Sequence, residues 1–273
     1  MKIVPTTPAL LLAAATAVPA AAAPVTLGDF TRLGADTDAT VSFSGNTGGT
    51  VAYNANGEPR VDVGIVSSLT EAATFTQVGD KITFSGTYDS ITTSASSNNA
   101  FYNGFLFNSV AAPRNGSGEV LKVNLGYGSD SAGDARFTRI GNNSAFAGGS
   151  AFAGEVIFED DQKFATGNAV DFVYTLELTG IGAGTSASFD YQFTAEFAAT
   201  ATSGAASITA AVNGVGTDTV TAVYAATNNG SFFNPNDTWT LGNAAVDFTP
   251  VPEPASALLL AAGGLVMLRR RSA

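Results

Sequence analysis

A chain of 273 residues, 45% hydrophobic and only 13% charged, with 19 Phe and 7 Tyr, has the material for a sizeable core and is not a disordered polymer. Its net charge of −11 repels phosphate backbones and argues against a nucleic-acid partner. Cys and His are both absent, which removes disulfides, thiolate nucleophiles, Ser-His-Asp triads and imidazole metal ligands, and leaves carboxylates, Lys, Tyr and hydroxyls for any chemistry.

The N-terminus has one positive charge at Lys2, an apolar stretch from Ala9 to Val18, and small residues from Ala20 to Ala23. That is the layout of a secretory signal peptide over residues 1–22, with cleavage after Ala22 because Pro24 makes a poor first mature residue. Pro5, Pro8 and Pro19 disfavour the competing reading, a buried Ala-rich helix.

Residues 23–250 read as a body of short strands with alternating apolar positions. Ile82, Phe84 and Tyr88 alternate, with Gly86 taking one inward place, and Leu121, Val123, Leu125 and Tyr127 follow. Val170, Phe172, Tyr174, Leu176 and Leu178 predict one long strand, and Phe189, Tyr191, Phe193, Ala195 and Phe197 another. The last strands carry Trp239 with Leu241, then Val246 with Phe248. Asn-Gly pairs at 56–57, 103–104, 115–116, 213–214 and 229–230 suit tight hairpin turns, since both residues tolerate positive φ. Asn103-Gly104 sits inside an aromatic run, where a bulge competes with a turn. Thirteen or so strands at this spacing predict an all-β fold, a β-sandwich of jelly-roll type folding as one domain from about Thr40 to Phe248.

Three segments of the body carry candidate chemistry. Ser129 to Asp134 sets Asp130 and Asp134 among small residues, and hard oxygen ligands on a loop suit Ca²⁺; a solvated turn is the simpler alternative. Otherwise no cofactor is expected. Glu155 and the Glu159-Asp160-Asp161 cluster are the nearest approach to paired catalytic carboxylates. In an extended strand Glu155 and Glu159 share a face roughly 13 Å apart, too far for either glycosidase geometry without bending, so a strand end with an acidic turn is expected. Phe101, Tyr102, Phe232, Phe233 and Trp239 lie near Asn-rich segments and could stack on sugar rings, although core packing is the commoner use of such residues. Of these, Phe232, Phe233 and Trp239 are the candidate glycan contacts.

The C-terminus is the most specific segment. Pro252-Glu253-Pro254 precedes an apolar run that ends at Leu268 and is closed by Arg269, Arg270 and Arg271. A helix from Ala255 to Leu268 would be about 21 Å long, short of a hydrocarbon core of ~30 Å, so it would span only with thinning or snorkelling. The Arg cluster should stay cytoplasmic, with the body exported. This motif, apolar span and Arg cluster resemble the PEP-CTERM sorting signal, over residues 251–273. The resemblance implies an exosortase-type membrane protease as partner, a transiently membrane-inserted precursor, and a body delivered to the cell surface or exopolysaccharide matrix. It gives an address and no activity. The two terminal signals carry four of the 12 cations and one of the 23 carboxylates, so the body alone is more acidic than the whole chain.

A second resemblance covers the body. The order Gly79-Asp80-Lys81-Ile82-Thr83-Phe84, then Phe101 to Phe107, then Asp237-Thr238-Trp239 running into the sorting signal is similar to lectin-like, concanavalin-type sandwiches. The glucanases of that fold carry two Glu and an Asp on one strand, a pattern absent here. The leading expectation is an exported, non-enzymatic surface or matrix protein associated with exopolysaccharide. The alternatives are a lectin-like glycan-binding module and a polysaccharide hydrolase working through carboxylates alone.

Overall fold

In a computed structural model of the chain, the described residues are 24–34, 39–54, 63–92, 99–107, 120–127, 135–140, 169–182, 188–199, 205–228 and 238–251. They hold thirteen strands: β1 (Thr31–Leu33), β2 (Ala39–Phe43), β3 (Gly49–Tyr53), β4 (Val63–Thr74), β5 (Lys81–Thr92), β6 (Asn99–Phe107), β7 (Val120–Tyr127), β8 (Ala135–Ile140), β9 (Val170–Ile181), β10 (Phe189–Ala199), β11 (Ala205–Val215), β12 (Thr219–Asn228) and β13 (Thr238–Thr249). They form a six-stranded sheet in the order β1-β4-β12-β6-β7-β8 and a seven-stranded sheet in the order β11-β10-β9-β5-β13-β3-β2. Every pairing is antiparallel. The two last strands, β12 and β13, lie inside their sheets rather than at an edge, so each sheet is completed only when the end of the chain arrives.

The alternation in the sequence explains the sandwich. Along β9, Val170, Phe172, Tyr174, Leu176 and Leu178 are buried while the residues between them are not. Along β10, Tyr191, Phe193, Ala195 and Phe197 do the same, opposite them in register. Aromatic rings close the space between the sheets: Phe84 meets Phe105 edge-on at 6.3 Å, and Phe105 meets Phe193 at 6.1 Å. Each such ring buried is worth about 1.5–3 kcal/mol of transfer free energy. The opposite face of the seven-stranded sheet carries hydroxyls. Thr209, Thr194, Thr175 and Thr83 stand side by side across β11, β10, β9 and β5, which puts strand-favouring side chains on the more exposed face.

Four sequence expectations change. The body begins earlier than Thr40: Val25, Leu27, Phe30 and Leu33 are buried, and Leu27 bridges to Leu69. Asn103-Gly104 is neither turn nor bulge, because β6 pairs through both residues without a register shift there; the irregularity lies in β12 between Val220 and Ala222. Asn213-Gly214 makes no hairpin turn either. It is extra chain in β11 opposite Asp190, and Gly214 takes φ +67° with its N–H donated to Asp190 Oδ1 at 2.8 Å. Finally, Trp239, Leu241, Val246 and Phe248 belong to one strand. Between Gly242 and Ala245 the register shifts and Asn243 adopts φ +53°, so the apolar phase passes from odd to even positions. The remaining Asn-Gly pairs, at 56–57, 115–116 and 229–230, lie outside the described residues, as do the signal peptide and the sorting helix.

Candidate functional site

The topology gathers the candidate loops at one end of the sandwich. Strands β3, β5, β7, β10 and β12 finish there, and β4, β6, β8, β11 and β13 start there, so the connections 54–62, 93–98, 128–134, 200–204 and 229–237 all begin and end at that edge. Asn228 pairs with Ala100, and Ala100 pairs with Gly126. The strand ends that lead into 229–237 and 128–134 are therefore two strand spacings apart, roughly 10 Å. Phe232 and Phe233 belong to the first connection, and Asp130 and Asp134 to the second. All four lie outside the described residues, as do Glu155, Glu159, Asp160 and Asp161. Phe101 and Tyr102 lie on β6, described by its backbone at those positions.

At this end the core carries a polar chain. Trp239 Nε1 donates to the Tyr53 hydroxyl at 3.1 Å, Tyr53 is hydrogen-bonded to Thr227 Oγ1, and Thr227 Oγ1 donates to the carbonyl of Val63 at 3.2 Å. Each hydroxyl has one proton, so the chain has a single consistent direction, from indole to tyrosine to threonine to backbone. Tyr53 and Trp239 belong to the seven-stranded sheet and Thr227 and Val63 to the six-stranded one, so the chain bolts the two sheets together. Tyr53, Thr227 and Trp239 are at most 3% exposed. Trp239 is thus a core residue whose ring offers no face to a sugar, contrary to the expectation from its Asn-rich surroundings. Asn103 faces the interior one residue pair from Thr227, opposite Ala225, and is also fully buried. Neither atom of its amide has a hydrogen-bond partner among the described residues.

The opposite end is held by carboxylates. Asp80, fully buried, closes the β4–β5 turn: its Oδ2 accepts from the N–H groups of Thr76 at 2.7 Å and Gln77 at 2.9 Å, and from the Thr76 hydroxyl at 3.3 Å. Its Oδ1 accepts from the Val251 N–H at 2.7 Å. Sequence reasoning missed this role, although Asp80 stands in a Gly-Asp turn and a turn Asp commonly collects nearby N–H groups. Pro252, Glu253 and Pro254 follow Val251 directly and, with Arg269, Arg270 and Arg271, lie outside the described residues. Among the described residues no group of three or more acidic, His or Cys side chains could hold a metal, and no helix is long and apolar enough to cross a membrane.

No protein-family model matches this sequence, and no curated protein matches it. Solved structures do match in fold. Arcelin-5, a lectin-like defense protein from Phaseolus vulgaris, superposes with a TM-score of 0.52 at 12% identity, over 84% of this chain and 99% of its own. Lectin I from Ulex europaeus, solved with the methyl glycoside of α-L-fucose, gives a TM-score of 0.51 at 12% identity, over 81% of this chain and 92% of its own. At that identity the likeness establishes the architecture, a lectin-like jelly-roll sandwich.

Proposed function

We propose that this chain is an exported, non-enzymatic lectin-like protein that binds glycan at the loop end of its sandwich. The observation that carries this reading is that the strand ends leading into 128–134 and 229–237 lie at one edge, two strands apart, at the end of the sandwich where the buried Trp239–Tyr53–Thr227 chain lies. A rigid scaffold under long, Asn-rich connections is the arrangement in which loops carry recognition. The architecture, shared with a lectin solved with a fucose glycoside, supports it. Phe232 and Phe233 supply rings to stack on sugar faces, Asn228, Asn229 and Asn234 supply amides, and Asp130 with Asp134 supplies oxygens for a Ca²⁺ that would stiffen the neighbouring loop. A glycan array run with and without calcium tests this: binding to a defined set of glycans is expected, stronger with calcium, and an array blank in both conditions contradicts it.

The address follows from the ends of the chain. Residues 1–22 serve as signal peptide and 251–273 as a PEP-CTERM sorting signal, with Pro252, Glu253 and Pro254 read by an exosortase-type protease and Arg269, Arg270 and Arg271 held in the cytoplasm until cleavage. The ligand that fits this route is the exopolysaccharide of the cell's own surface or matrix. Intact mass of protein from the native host should show a start near Ala23 and no Arg cluster, and Glu253→Ala should leave precursor in the membrane.

A further inference from the structure

Val251 is the last described residue before Pro252, and its N–H does not go to solvent. It is donated at 2.7 Å to Asp80, a carboxylate with no exposed surface whose charge is met by three backbone N–H groups and one hydroxyl. Hydrogen bonds of this charge-assisted kind are among the stronger ones a protein makes. The turn that carries Asp80 is itself fixed. Leu178 donates its N–H to the Asp80 carbonyl at 2.9 Å, and Gly79 donates to the Leu178 carbonyl at 2.8 Å. Gly79 adopts φ +97°, and a Cβ there would stand 2.9 Å from Val251 Cγ2. Gly79 thus leaves room beside Val251 and favours the positive φ, and Asp80 offers an acceptor to the passing backbone.

We infer that Asp80 is a clasp that pins the backbone at Val251 to the body and so keeps a processing protease from the bonds before that residue. Proteases bind substrate as extended chain whose N–H and C=O groups are free to pair with the enzyme. At Val251 the N–H is already engaged, and up to Thr249 the backbone is paired in β13. Cleavage of the folded protein is thereby confined to bonds beyond Val251, and the body keeps its full fold after the tail is removed. This rests on the reading of 251–273 as a processed signal.

The test is to express the full chain in its native host as wild type, Asp80→Asn and Asp80→Ala, and to read the C-termini by intact mass. Wild type should give a single end at or beyond Val251. Asp80→Ala should add forms that end before Val251, and Asp80→Asn, which keeps one acceptor oxygen, should give fewer of them. Where the tail is removed, identical ends in all three proteins, or a wild-type end before Val251, overturn the clasp. Should Asp80→Ala fail to fold, amide hydrogen exchange on the wild type decides: the Val251 N–H should exchange at least about tenfold more slowly than in an open chain, and an unprotected Val251 overturns the inference. A wild type that keeps all of 252–273 while Val251 stays protected would instead refute processing and leave the clasp standing.

Discussion

At one end of the sandwich β4 turns into β5 over residues 75–80 and β11 into β12 over 216–218, and several polar groups there are tied. Asp80 gathers Thr76, Gln77 and Val251, Asp190 takes the Gly214 N–H, Phe75 donates to the Asp218 carbonyl, and the Tyr191 hydroxyl donates to the Thr217 carbonyl. At the other end, where β3 and β12 finish, Asn54 Nδ2 donates to Thr40 Oγ1 and Arg32 to the Ala39 carbonyl, and the Trp239–Tyr53–Thr227–Val63 chain ties the two sheets. Among the described residues, the first end is fastened at the 75–80 and 216–218 turns, and the second by a hydrogen-bond chain between the sheets. Fastened turns conserve a shape, and loops over a braced platform are where a ligand site can be built without endangering the core.

Four substitutions would break or sharpen that contrast. Phe172→Ala, in the core both ends share, should cost ~3–5 kcal/mol in denaturant unfolding and sets the scale. Asp80→Ala strands buried N–H groups in the tied turn and should cost about 3 kcal/mol, which would be the largest effect of any turn residue. Tyr53→Phe removes the middle of the polar chain, and with it the hydrogen bonds from the Trp239 indole and to Thr227, and should cost about 1–2 kcal/mol without altering the clasp end. Asn103→Leu should be neutral or stabilising, because its amide has no partner to strand among the described residues, and a clear loss in melting temperature would reveal a hydrogen bond to water there.

The strands were legible where alternation was long and unbroken. β9 and β10 follow from their residues alone, because a buried face repeated over five positions admits one register. Strand order was not legible: nothing local says that Trp239 pairs with both Val51 and Ile91. The phase change in β13 was hidden because a positive φ at Asn243 is a backbone event that a pattern of apolar residues records only as a break. Asn213-Gly214 misled for a related reason, since the same dipeptide that makes a hairpin also makes a bulge when a partner strand is present on its far side. The N-terminal start was missed because Val25, Leu27 and Phe30 are too sparse to read as a strand, yet each is buried against the core. Of the candidate site, the loops could be named from composition, but Trp239 could not be told from an exposed ring, because only its distant partner Tyr53 shows that it points inward.

The claim that most needs testing is that the loop end binds glycan. Wild-type protein purified from the host and the Phe232→Ala, Phe233→Ala double variant would be titrated calorimetrically with the host's own exopolysaccharide, in calcium, with thermal melts run alongside. The account predicts saturable binding by the wild type, its loss in the double variant, and melting temperatures that agree. Equal binding by both proteins, or none by either, would contradict it.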